Sequence, residues 1–237
     1  MKPHSSDATS EETARYYAAR APEYDLSAGY LAHDRETLRV AKKRRFQQLF
    51  RGHDVIEIAC GTGYWTAVLA ETAKSVVGID VNPEMISRAQ SRCEHLPHVS
   101  FRLSDAYSIN PEAGAFTAAF AVWWWSHIPR SRLQEFLQSF HRRLIPGALV
   151  LFSDQLEYDV PRVDGMATQR RQDSNGDTIE RRVLSDGQKY DIVKNFPTEQ
   201  ELSAAVSEFG TDVQYKEWPG EKHWELTYSA VKMAQTE

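Results

Sequence analysis

Val55-Ile56-Glu57-Ile58-Ala59-Cys60-Gly61-Thr62-Gly63-Tyr64-Trp65 begins as an apolar run broken by one carboxylate, passes through small residues and resumes as a helix-compatible segment. A buried parallel strand that enters a glycine-rich turn and then a helix has this pattern. Gly61 and Gly63 permit a tight turn and let the backbone approach a ligand with no Cβ in between. Seventeen residues past Gly63, the apolar run Ser75-Val76-Val77-Gly78-Ile79 ends in Asp80. An acid at the tip of the second strand is placed to accept hydrogen bonds from ribose hydroxyls. Turn and acid together predict a nucleoside-bearing cofactor.

Missing residues narrow the choice. A dinucleotide fingerprint calls for a third Gly or an Ala where Thr66 stands. A phosphate-cradling loop calls for Gly-Lys-Ser/Thr, but Gly63 is followed by Tyr64-Trp65, and no Lys or Arg sits in the turn to meet a pyrophosphate. The turn, Asp80 and the end of a third strand at Ser104-Asp105-Ala106 resemble the S-adenosylmethionine (SAM) site of class I methyltransferases. The first motif of that family is Glu57-x-Ala59-x-Gly61-x-Gly63 here, with Ala59 where the family has Gly. The resemblance implies SAM as cofactor and S-adenosylhomocysteine as product. It places Glu57, Ala59, Gly61, Gly63, Asp80, Val81, Met85, Asp105, Ala106 and Val122 around the cofactor, with Asp105 accepting from the adenine amino group and Val81 and Met85 on the ring. Read without the resemblance, Asp105 is an ordinary turn residue at a strand end.

The run from Tyr16 to Asp25 resembles the leader that folds over SAM in many small-molecule methyltransferases. The resemblance makes Tyr17, Arg20 and Tyr24 cofactor residues, with Arg20 a candidate partner for the methionine carboxylate because guanidinium forks match carboxylates. The alternative is a helix packed on the core by its tyrosines.

With 237 residues the chain is long enough for one full core without staples. A formal charge of −5 gives no overall attraction to nucleic acid or acidic membranes. Cys60 and Cys93 form no metal or redox spacing, no metal-ligand cluster stands out, and a reduced, cytoplasmic setting is expected. The polar start, Met1 to Asp7, has no signal-peptide core, and the longest apolar run, Phe116 to Trp125, is too short to span a bilayer. A monomer or homodimer is expected.

The first ten residues read as a tail, with Ser10 a helix N-cap before Glu11 and Glu12. A helix is expected from Leu31 to Arg51, its cluster Lys42-Lys43-Arg44-Arg45 forming a solvated face. Asn82-Pro83 opens another helix, and Val99, Phe101 and Leu103 alternate as a third strand. Phe116 to Val122 is a fourth strand, Leu133 to Leu144 an amphipathic helix and Ala148 to Ser153 a fifth strand. Beyond it, Ser185-Asp186-Gly187 turns a hairpin with Tyr190, Ile192, Lys194 and Phe196 on one face. Thr198-Glu199-Gln200-Glu201 is a capping box, and Asp212 to Val231 a closing hairpin.

The fold expected is α/β: a Rossmann-like, doubly wound, seven-stranded, mostly parallel sheet with an antiparallel last strand. It carries a helical N-terminal cap (1–52), a cofactor core (53–154), a β-hairpin insertion that lids the site (155–197) and a closing unit (198–237).

The acceptor end is the run Trp123-Trp124-Trp125-Ser126-His127, beyond the carboxyl end of the fourth strand. Three consecutive tryptophans cannot share one face. Trp124, Trp125 and Tyr190 are the candidate acceptor pocket, and His127 is either a general base titrating at about 6.5 or a histidine satisfied by backbone. The function expected is methyl transfer to an O, N or C atom of a small metabolite in a closed aromatic pocket. The alternatives are an RNA- or protein-directed methyltransferase and an enzyme that cleaves or cyclises SAM itself.

Overall fold

The computed structural model describes residues 5–28, 36–109, 115–158, 162–163, 166–167 and 169–233. Its centre is a seven-stranded sheet built from β1 (Asp54–Ile58), β2 (Ser75–Asp80), β3 (Val99–Leu103), β4 (Phe116–Val122), β5 (Leu144–Gln155), β11 (Gly210–Glu217) and β12 (His223–Ala230) in the order β11-β12-β5-β4-β1-β2-β3. β1 to β5 pair in parallel, and β12 runs antiparallel between β5 and β11. The chain thus has the fold expected of it.

Period-two burial explains why the sheet is covered on both sides. Val55, Ala118, Phe120 and Leu151 point to one face, where α3 (Glu36–Leu49) brings Phe46 and α4 (Tyr64–Ala70) brings Trp65 and Leu69. Their neighbours Ile56, Ile58, Ala119, Ala121, Val150 and Phe152 point to the other, against Phe136, Leu137 and Phe140 of α6 (Leu133–His141) and Leu202 and Val206 of α7 (Glu199–Val206). Strands buried on both faces must read as continuous apolar runs, as these do. The capping box forms: Thr198 N donates to Glu201 at 2.8 Å and Glu201 N to the Thr198 hydroxyl at 3.2 Å.

Gly63 sits at φ 75°, and a Cβ there would lie 2.9 Å from Ala89 Cα, in α5 (Pro83–Cys93). The glycine therefore sets the spacing of α4 and α5 behind the turn. Gly63→Ala should cost about 3 kcal/mol in chemical denaturation, from left-handed strain and overpacking together.

Two local expectations are corrected and a third falls outside the described residues. The first helix, α1, spans Ser5–Arg20, so Ser10 lies inside it rather than at its cap. The expected start at Leu31 lies outside the described residues, and the second long helix is described from Glu36. Lys42 is buried, 2.6 Å from His223 Nδ1 and paired with Glu221, while Arg45 holds Glu225 at 2.5 Å. Half of the basic cluster thus fastens α3 to the closing hairpin, because the turn before β12 and β12 itself each set a carboxylate opposite it.

After β5 the chain forms the two short strands β6 (Arg162–Val163) and β7 (Met166–Ala167), then a separate antiparallel sheet of β8 (Arg170–Gln172), β9 (Thr178–Val183) and β10 (Lys189–Val193). β10 is one of its edges, and α1 covers that edge: the Asp191 N–H donates to Glu12 Oε1 at 2.9 Å and the Val193 N–H to the Thr13 hydroxyl at 3.2 Å. Side chains of a helix thus satisfy donors that an edge strand leaves open.

Candidate active site

A cavity of about 390 Å³ lies over the carboxyl ends of β1, β2 and β4, where open α/β sheets take ligands. Its floor is Ala59, Gly61, Ile79, Asp80 and Asn82, its far wall Val81, Met85, Asp105, Ala106 and Tyr107, and its roof comes from α1 and Tyr24. Asp80 is buried and accepts from the Gly61 N–H and the Asn82 N–H, both at 2.9 Å. Burial raises its pKa while those backbone donors oppose the rise. Two bonds leave a carboxylate with further lone pairs for hydroxyl donors. A Cβ built on Gly61 meets nothing within 4 Å, so the space beside the turn is open to a ligand's approach. Asp105 is exposed at the far wall; one oxygen accepts from the Tyr107 N–H at 2.9 Å.

Ala59 stands at φ 52°, the left-handed conformation that the turn requires and that a Cβ disfavours. Ala59→Gly should therefore raise stability by about 0.5–1 kcal/mol despite the entropy of glycine, measurable as a higher denaturation midpoint.

At the acceptor end the three tryptophans separate. Trp123 takes φ 65°, which turns the chain so that Trp123 and Trp124 both line the cavity while Trp125 enters the core against Phe152 and Trp224. His127 lines the cavity next to them. Its Nδ1 lies 2.7 Å from the Val193 carbonyl and its Nε2 2.8 Å from the Tyr17 hydroxyl. The assignment that satisfies both is a neutral ring, with Nδ1–H donating to the carbonyl and Nε2 accepting from Tyr17. Burial, then the nearby Lys194 charge, pushes its pKa down to about 3. Lys194 is itself buried, donates to the Ser126 hydroxyl at 2.8 Å and lies 3.4 Å from Asp154.

The expected titration of His127 at about 6.5 is thus corrected: desolvation and a cationic neighbour both oppose protonation. Trp125 is corrected from pocket to core, and Trp123, passed over in the sequence, lines the cavity with Trp124. Tyr190, in β10, packs on Tyr16 and is not among the lining residues. Arg20 does not line the cavity either: its guanidinium lies over Tyr24, 4.9 Å from the ring centre, and its Nε donates to Ser27 at 3.0 Å. A helix that packs by tyrosines offers those rings to Arg20 before any carboxylate. Glu57 lies behind the turn, bonded by the Thr66 hydroxyl, with burial pushing its pKa up to about 8. Gly63 shapes the turn from behind, whereas Val122, Tyr17 and Tyr24 line the cavity. Sequence reasoning missed Tyr107 and Arg132, whose guanidinium stacks 3.6 Å from the Tyr107 ring centre; neither carries a motif. Two buried donors of lining residues, Tyr107 Oη and Trp124 Nε1, have no acceptor among the described residues.

Residues 55–147 match the family model for a methyltransferase domain. The solved structure of DhpI with S-adenosylhomocysteine is 29% identical, with a TM-score of 0.74, over 95% of this chain and 98% of that one; the same protein has been solved with SAM and HEP. Residues 55–147 are thus a class I SAM-dependent methyltransferase domain. Its cofactor is SAM. Among curated relatives of this methyltransferase, demethylmenaquinone methyltransferase of Tropheryma whipplei is 32% identical over 40% of this chain and 39% of the relative. Protein-L-isoaspartate O-methyltransferase 1 of Nitrosospira multiformis is 31% identical over 56% of this chain and 57% of the relative. The chain spans less than two-thirds of the length of either. No helix among the described residues is long and apolar enough to cross a membrane.

Proposed function

We propose that this methyltransferase acts on a small-molecule acceptor whose attacking atom already carries a free lone pair or negative charge at the working pH. The observation that carries the reading is the cavity: α1 residues and Tyr24 roof it, and Trp123, Trp124 and His127 wall its acceptor end. A polypeptide or RNA substrate would have to thread beneath that roof, and the net charge of −5 gives no general attraction to nucleic acid. DhpI, whose resemblance runs along almost the whole chain, was solved as a complex with SAM and HEP.

The residues present fit SAM. Asp80 would hold the ribose hydroxyls. Val81, Met85, Ala106 and Asp105 would hold the adenine, with Ala59, Gly61 and Val122 along the rest of the trough and Tyr17 and Tyr24 above. Tyr107 Oη and Trp124 Nε1 are buried donors that a ligand acceptor would satisfy. Bound there, SAM supplies an electrophilic methyl group on a sulfonium. The chain's own contribution is positioning and desolvation, which suffice for a displacement with a good leaving group. In this reading His127 is a neutral hydrogen-bond acceptor that fixes Tyr17, not a base that gains a full charge.

Incubation of the protein with methyl-labelled SAM and a total metabolite extract tests this by mass spectrometry. Label should appear in a compound of low mass. Label confined to protein or RNA, or SAM consumed with no methylated product, would overturn it.

A further inference from the structure

The leader is attached to two different bodies. Along α1 it is bound to the edge of β10 through Glu12 and Thr13, and to His127 through Tyr17. Past a single 3-10 turn (Ala21–Glu23) it enters α2 (Tyr24–Ser27), and there Asp25 reaches the cofactor turn itself. Asp25 Oδ1 accepts from the Thr62 hydroxyl at 2.6 Å, and its other oxygen is ion-paired with Arg92. Arg92, near the end of α5, also donates through its other arm to the Thr62 carbonyl at 2.7 Å and to the Thr62 hydroxyl at 2.9 Å. Thr62 is buried between the two glycines that shape the turn, while Asp25 and Arg92 keep about a quarter and a third of their side-chain surface.

This arrangement is more specific than a surface ion pair. One guanidinium binds the peptide at the apex of the turn, the side chain of the same residue, and the carboxylate that arrives from the leader. Thr62 and Arg92 both donate to Asp25, so the leader can leave only by stripping a carboxylate of a charged and a neutral donor together. The lining residues Tyr17 and Tyr24 both precede Asp25, Tyr24 immediately, and they face the trough in which Gly61 and Asp80 sit.

We propose that Asp25, Thr62 and Arg92 form a latch that fastens the leader to the cofactor turn and sets how fast the adenosyl product leaves. It rests on the cofactor reading above, and Asp25 and Arg92 are positioning residues in it: they act through Thr62 and through the leader. With the latch broken, α1 stays bound to the insertion, so only the α2 end of the leader, with Tyr24, swings free and the protein remains folded.

Stopped-flow tryptophan fluorescence on the intact protein reads release directly, because Trp123 and Trp124 line the cavity. S-adenosylhomocysteine is the probe. Asp25→Asn should raise its dissociation rate about 3–10-fold, and Thr62→Val should do the same by removing the shared hydroxyl. Asp25→Glu should restore part of the slow release. In the wild type, raising salt from about 0.05 to 0.5 M should speed release, and Asp25→Asn should lose that dependence. Equilibrium titration of the wild type separates the two readings. No binding would overturn the cofactor reading and the latch with it. Tight binding, with wild-type release rates in both variants at unchanged melting temperature, would overturn the latch alone.

Discussion

Asp80→Ala should weaken binding of SAM and of S-adenosylhomocysteine by about a hundredfold or more, the largest effect on affinity expected of any single substitution in this chain. Two losses combine. Hydrogen bonds from ribose hydroxyls to the carboxylate disappear, each worth about 1.5–3 kcal/mol where one partner is charged. The bonds that Asp80 accepts from Gly61 N and Asn82 N, both at 2.9 Å, disappear as well. Those two donors belong to different segments, one in the glycine turn and one at the start of α5, so the carboxylate ties the turn after β1 to the end of β2. Asp80→Asn keeps the shape but turns one acceptor into a donor, and should fall between wild type and alanine. Calorimetry with S-adenosylhomocysteine measures both. Tight binding by the alanine variant would remove Asp80 from the cofactor site.

The cofactor end was legible in the sequence because its chemistry is carried by backbone. A turn that needs glycine, and an acid that must stand at a strand end, leave residue types at fixed spacing, and Gly61, Gly63 and Asp80 are such residues. The acceptor end is built by side chains whose direction depends on local backbone. Nothing in three consecutive tryptophans says which one takes a positive φ, so Trp123 was passed over and Trp125 placed in the pocket instead of the core. Arg20 and Lys42 fail for a related reason. A cation in a helix reads as available to a ligand or to solvent until its tertiary partners are known, here the leader's own tyrosines and Glu221. The latch was illegible for the same reason: Asp25, Thr62 and Arg92 are ordinary residues in their own segments, brought together only by the fold.

The second large effect concerns acid. His127 is buried as a neutral ring with its pKa lowered to about 3, against about 6.5 in an unfolded chain. A base that is neutral when folded binds fewer protons than when unfolded. Its contribution to stability is therefore complete above the unfolded pKa and is lost as pH falls from about 6.5 towards the folded value near 3. The loss amounts to about 4 kcal/mol over that window. His141, lowered to about 4, has the same sign, whereas Glu57, raised to about 8, has the opposite one, so the raw pH curve mixes several groups. Subtracting the curve of His127→Asn isolates the histidine: the wild-type advantage at pH 7 should shrink steadily below about 6.5. Activity gives an independent check. If His127 stays neutral and only fixes Tyr17, the rate of methyl transfer should show no limb at about 6.5, and Tyr17→Phe and His127→Asn should cost similar factors in rate and be non-additive together, since each breaks the same hydrogen bond. A wild-type rate limb at about 6.5 that vanishes in His127→Asn would instead make this histidine the general base, protonated in a liganded site less hostile to charge than the closed one.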